Sequence, residues 1–236
     1  MSAEPVALSV VLPCYNEAAS LPESIPPLLR ALEAEAFSFE VILVDNGSTD
    51  ATGEAIARLA AAHPRLRPAK VDVNRGYGGG VLAGLACTDG VHLAFLGADG
   101  QVAPAQVVEV LRRGVASPPG TLVKALRRSR GDGPLRWGIS KAYNLLARML
   151  LAARSGDLNA TPKVLHREDL PRLGLTSMDW FLDAECMLRA AEEGFALVEV
   201  PVDFLPRRGG RSHVRMSAVA EFLGNLWRFR AWRRRD

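Results

Sequence analysis

The feature that most limits what this chain can fold into is an alternation, through its first half, of short β-branched runs with stretches of helical periodicity. Runs 7–12, 39–44, 69–73 and 92–96 read as strands, and 28–36, 51–62 and 78–87 read as the helices between them. Such alternation builds βαβ units, in which right-handed crossovers lay helices on both faces of a mostly parallel sheet. Thr49 or Asp50 suits the N-cap of the helix at 51, and Pro104 suits the first turn of another running to Arg113, where its missing N–H costs nothing. Beyond the break at 117–120, strands are expected at 122–125 and 197–202. A helical apolar stripe of Leu135, Ile139, Ala142, Leu146, Met149 and Leu150 lies between them. The expected architecture is one Rossmann-like α/β domain over residues 1–215, divisible into 1–116 and 117–215, followed by a basic amphipathic C-terminal helix at 216–236.

The 236 residues, 48% of them apolar, suffice for a full core. A net charge of +3 excludes a general nucleic-acid binder, although basic residues gather in the last third. Cys14, Cys87 and Cys186 are odd in number and far apart, without His-rich neighbours. They suggest neither a disulfide framework nor a zinc site, and fit a reducing cytoplasm. The opening MSAEPVALSV lacks a basic region leading into an apolar one, and no apolar run approaches the roughly 18 residues of a membrane span. A cytoplasmic protein is expected, with at most peripheral contact to the cytoplasmic membrane face.

Open parallel sheets bind ligands beyond the carboxyl ends of their strands. Three such ends carry polar groups: SVVLPCYNE over 9–17, VILVDNGSTD over 41–50 and HLAFLGADGQ over 92–101. Asp45, just past a strand, can accept hydrogen bonds from a ribose or base; alternatively Asp45, Asn46 and Asp50 simply bond the local turn backbone. Asp99 and Gln101 can offer oxygens to a divalent cation bridging a diphosphate, or can form an ordinary turn between Gly97 and Gly100. The glycines of RGYGGG, 75–80, let backbone approach a ligand or let a helix pack closely on the sheet.

Together these segments resemble the nucleotide-binding half of family 2 glycosyltransferases with the glycosyltransferase A fold, especially the polyprenyl-phosphate sugar synthases such as dolichyl-phosphate mannose synthase. The resemblance implies a nucleotide-sugar site of Pro13, Tyr15, Asn16, Glu17, Asp45 and Gly47, extended by Asn74, Gly76, Gly80 and Asp99. The AspXxxAspXxxGln metal motif maps onto Gly97, Asp99 and Gln101, implying Mg2+ or Mn2+ held by Asp99 and Gln101. Two departures stand out. Asn46 takes the place of the second Asp of an AspAspGlySer turn, and Gly97 that of the first metal-motif Asp, so weak or dispensable metal binding is expected.

The resemblance continues through DLNATPKVLHRE at 157–168, where an Asp leads into a strand opposite the donor, and FLDAE at 181–185, where an acidic residue faces the acceptor. RRGGRSH at 207–213 matches a loop that covers the phosphates. A hydroxyl acceptor needs a base, for which Asp183 is the candidate and Glu185 the second, unless either merely begins a helix. A lipid phosphate needs only positive charge. Arg127 and Arg130, with Arg207, Arg208, Arg211, Ser212 and His213, can surround an acceptor or leaving phosphate.

The stripe at 135–151 and the terminal helix with Trp227, Phe229 and Trp232 suit either an anionic membrane surface or the core. The expected reaction is inverting hexose transfer from a GDP- or UDP-sugar to a polyprenyl phosphate, with a membrane surface or membrane protein as further partner and no nucleic acid. The competing readings are a sugar or small-molecule hydroxyl acceptor, a catalytically silent binding homologue, and a nucleotidyltransferase. That last class would carry a Gly-rich basic loop where YNEAAS stands.

Overall fold

The structure, a computed structural model, describes residues 5–128, 155 and 157–205. Its centre is β1 (Leu8–Cys14), a strand buried on both faces. β2 (Phe39–Asn46) and β4 (His92–Phe95) flank it in parallel, and the near-continuous apolar runs of these strands are what such burial demands. The seven-stranded sheet has the order β3-β2-β1-β4-β6-β5-β7, with β3 (Leu66–Val71), β5 (Thr121–Arg127), β6 (Lys163–His166) and β7 (Ala196–Val202) completing it. Among the described strands only β6 runs antiparallel to its neighbours, so its first residue, Lys163, lies at the edge where the parallel strands end.

Alternate residues of β1 divide the core. Val10 and Leu12 pack with α1 (Leu21–Glu33), α2 (Thr52–Ala62) and α4 (Pro104–Val115) on one face. Val11 joins Ile42, Phe95 and Leu165 against α3 (Gly76–Leu85) and α6 (Leu182–Glu192) on the other. A short α5 (Leu170–Leu173) follows β6.

Two elements depart from expectation. α1 begins at Leu21 rather than 28, with Pro26 and Pro27 inside it. The carbonyls deprived of a donor belong to the first turn, on exposed Pro22 and Glu23, while Leu21, Ile25, Leu28, Leu29 and Leu32 form the buried stripe. β3 occupies 66–71 rather than 69–73, and contains Pro68, which an edge strand tolerates because one row of its N–H groups has no partner strand. The expected helices at 135–151 and 216–236 lie outside the described residues.

Strands β2 and β3 lead away from β1 on one side and β4 on the other, so chain direction across the sheet reverses between β1 and β4. In an open parallel sheet that reversal leaves a crevice beyond the strand ends, and it falls between Pro13–Glu17 and Gly97–Gln101.

Candidate active site

The ends of β1 and β2 are stapled together by the polar residues of both loops. Asn16 takes a left-handed conformation, φ 55°, which Asn tolerates better than most residues. Its N–H donates to Ser48 Oγ at 3.1 Å and its Oδ1 accepts from the Thr49 N–H at 2.9 Å. The Glu17 N–H donates to Thr52 Oγ1 at 2.8 Å, and the Glu17 carboxylate accepts from Ser20. Asp50 accepts from the Thr52 N–H at 3.0 Å in a local turn, but the N-cap of α2 is Ala51, without a side-chain cap bond, and not Thr49 or Asp50 as expected.

Asp45 is anchored through one oxygen, which accepts from the Ser48 N–H at 3.0 Å. Its other oxygen lies against the α2 glycine Gly53, where a Cβ would stand 2.9 Å from it. Cys14, its register partner on β1, is fully buried, and burial together with the Glu17 and Asp45 carboxylates pushes its thiol far above the ordinary range. Two negative charges thus gather at the mouth between β1 and β2.

Asn46 turns inward. It is 2% exposed, and its Nδ2 donates to the Gly76 carbonyl at 2.8 Å. Asn74 Oδ1 accepts from the Gly76 N–H at 2.7 Å, so Asn46 and Asn74 together fix the entry to α3. A carboxylate at position 46 cannot make that donation, which gives the departure from the AspAspGlySer pattern a structural reason. Gly47, φ 69°, passes so close to Val73 and Asn74 that a Cβ would overlap the Asn74 nitrogen.

The glycine run of α3 has a packing role. The space of a Gly80 side chain is filled by Pro13 and Asn46, at 2.9 and 3.0 Å from a Cβ, and those of Gly76 and Gly78 by carbonyls of Met178 and Ser177. Gly76 and Gly80 therefore seat the Pro13 and Asn46 wall of the crevice.

After β4, Asp99 Oδ1 accepts from the Gln101 N–H at 3.2 Å. Gln101 Nε2 donates to the Leu205 carbonyl at 3.3 Å and the Leu205 N–H to the Gln101 carbonyl at 2.7 Å, tying this loop to the chain beyond β7. A Cβ on Gly97 would stand 3.6 Å from Asp99 Oδ1, so a carboxylate at 97 would face Asp99 directly. Among the described residues no group of three or more His, Cys, Asp or Glu side chains gathers to hold a metal.

The half after residue 117 supplies a buried charge cluster. Lys124 and Lys163, paired in register on β5 and β6, are each 0% exposed. Lys163 Nζ donates to Asp183 Oδ1 at 2.6 Å and to the Ala160 carbonyl at 3.1 Å. Lys124 Nζ lies 3.3 Å from Glu199 Oε1, and burial, reinforced by repulsion from Lys163, brings it down to about 8. Asp183 is only 3% exposed; burial raises its carboxyl, against the pull of Lys163.

Arg127 is corrected in place. It ends β5 instead of standing in a loop, its Nε donates to Asp157 Oδ2 at 2.7 Å, and its Nη2 binds the other Asp157 oxygen. A 5.1 Å approach to the Phe204 ring completes its seat. Glu185, the second candidate base, accepts from the Thr176 and Ser177 N–H groups and is a loop clamp. Arg130, Arg207, Arg208, Arg211, Ser212 and His213 lie outside the described residues.

Lys124, Lys163 and Tyr77 escaped the sequence reading. A Lys inside an otherwise apolar strand, in TLVKALR and KVLH, was the available signal, because period-two burial requires such a cation to find an internal partner.

A three-layer α/β sheet with its crevice at the switch point, acidic groups at the ends of β1, β2 and β4, and an appended antiparallel strand define the glycosyltransferase A class. Residues 9–174 match the glycosyl transferase family 2 model, and the chain belongs to that family. It is 30% identical over 226 residues to glycosyltransferase AglD of Haloferax volcanii, matching 93% of this chain and only 36% of that protein. With an uncharacterized glycosyltransferase of Mycobacterium tuberculosis it shares 31% identity over 230 residues, covering 93% of this chain and 95% of the other.

Among solved structures, glucosyl-3-phosphoglycerate synthase of Mycobacterium tuberculosis, in complex with Mn2+, UDP and glucosyl-3-phosphoglycerate, superposes with a TM-score of 0.72 at 24% identity, over 95% of this chain and 79% of that one. The mannosyltransferase PcManGT of Pyrobaculum calidifontis, in complex with GDP-Man and Mn2+, gives 0.63 at 22%, over 90% and 59%. This chain is a glycosyltransferase of that fold.

Proposed function

We propose that the protein transfers a hexose from a GDP- or UDP-sugar to a polyprenyl phosphate with inversion. The observation that carries the acceptor class is the state of Asp183: the carboxylate a hydroxyl acceptor would need as its base is buried and held by Lys163 at 2.6 Å. An acceptor phosphate arrives already ionised and needs no base. Its oxygen attacks C1 of the hexose as the bond from C1 to the leaving diphosphate breaks, and the electron pair departs with the diphosphate. The lipid part of the proposal rests on the resemblance of 157–168 and 207–213 to polyprenyl-phosphate sugar synthases, and a peripheral cytoplasmic location follows from it.

Asp45, with the Asn16 and Glu17 backbone around it, is assigned to the nucleoside. Asp99 and Gln101 suit Mg2+ or Mn2+ only when donor phosphate oxygens complete the shell, since one carboxylate provides a single formal charge. Such an ion would neutralise charge gathering on the departing diphosphate.

Thermal unfolding with GDP, UDP and their hexosides, each with and without Mn2+, tests the donor reading. One nucleotide series should raise Tm, reflecting a stabilisation of roughly 2.7 kcal/mol at a hundredfold excess over Kd, and Asp45→Asn should abolish the shift. Equal shifts in wild type and the variant would remove Asp45 from the site.

A further inference from the structure

We infer that Trp180, backed by Tyr77, forms a stacking face for the donor hexose, and this rests on the nucleotide-sugar reading of the same crevice. The two rings lie parallel, centroids 4.5 Å apart at 8° between planes, both partly exposed, with Tyr77 packed against the core.

Both supports of the pair are built in. Tyr77 stands in the first turn of α3, where its hydroxyl lies near the Asp183 carboxylate, which Lys163 fixes in turn. The loop that carries Trp180 is pinned from two sides: Glu185 accepts from the Thr176 and Ser177 N–H groups at 3.1 and 2.8 Å, and the Gly79 N–H donates to the Met178 carbonyl at 3.0 Å. A large aromatic on a loop loses little further entropy on binding when its backbone and its rear face are already fixed.

The location selects the ligand. The Tyr77 hydroxyl is close enough to Asp99 and Asp183 for both carboxylates to raise it, though burial raises it most. Tyr77 follows Gly76, whose carbonyl is held by Asn46 at the end of β2, and Trp180 precedes Asp183 of the Lys163 pair by three residues, so the two rings stand between the crevice wall and the buried cluster of the acceptor half. The hexose must lie there, joined on one side to the phosphates and open on the other to attack. A pyranose carries axial C–H groups on one face, which a flat indole matches while its hydroxyls remain free for polar partners.

The experiment compares calorimetric affinity for GDP against GDP-mannose and UDP against UDP-glucose, with Mn2+, in wild type, W180A and W180F. Wild type should bind the cognate hexoside more tightly than the bare diphosphate. W180A should lose that gain, on the order of ten-fold, with diphosphate affinity unchanged, and W180F should retain part of it. The proposal is overturned if the gain survives in W180A, if W180A weakens diphosphate and hexoside equally, or if wild type shows no gain for either sugar. In that last case diphosphate binding still upholds the nucleotide reading; loss of all nucleotide binding in wild type would sink both.

Discussion

One amide proton decides what position 46 does. Asn46 donates to the Gly76 carbonyl from a site 2% exposed, so an Asp there would leave that carbonyl without its donor and bury a charge. Asn46→Asp should cost about 1–3 kcal/mol in denaturant unfolding; a variant as stable as wild type would contradict the role given to the amide. Position 97 offers the converse change. An Asp in place of Gly97 would put a second carboxylate beside Asp99, since a Cβ there lies 3.6 Å from Oδ1. Gly97→Asp should lower Tm in chelator and respond to Mn2+ with a larger rise than wild type, because the cation relieves the repulsion. An unchanged Mn2+ response would detach Asp99 from the metal.

At the scale of elements, α3 shows how packing outranks propensity. Ala is favoured over Gly in a helix by about 1 kcal/mol, yet a Cβ on Gly78 would collide with the Ser177 carbonyl. Gly78→Ala should therefore lower Tm, and a gain would show that the 176–181 loop can retreat. The RGYGGG segment was legible as glycines for a close approach, of a helix to the sheet or of backbone to a ligand, but its partner loop was not, because that loop lies about a hundred residues on and periodicity carries no tertiary register. β1, β2 and β4 were readable because burial on both faces leaves apolar runs. α1 and β3 were misplaced at their starts, since prolines normally end such elements and only an exposed first turn or a sheet edge spares them. The strand-end positions of Asp45 and Asp99 were legible in the sequence; Lys163 and Tyr77 needed the fold to bring them to Asp183.

For the molecule as a whole, the buried cluster links stability to pH. Lys124 falls from the ordinary lysine range to about 8 through burial and Lys163, so between pH 8 and 10 the unfolded chain holds a proton that the folded one has released. Stability from this group must rise with pH in that window, at no more than about 1.4 kcal/mol per unit for one proton. Comparing wild type with Lys124→Met isolates it: the difference should drift in favour of wild type above pH 8 and stay level below. A difference that is flat throughout would mean that Lys124 keeps its proton.

The same cluster bears on the acceptor, because Lys163 holds Asp183 away from base chemistry. Transfer of labelled hexose from the cognate nucleotide sugar, offered polyprenyl phosphate and the free polyprenol of equal length, tests this most directly. Lipid-linked sugar should form from the phosphate alone, and product from the free polyprenol at a comparable rate would show that a base is available to the acceptor.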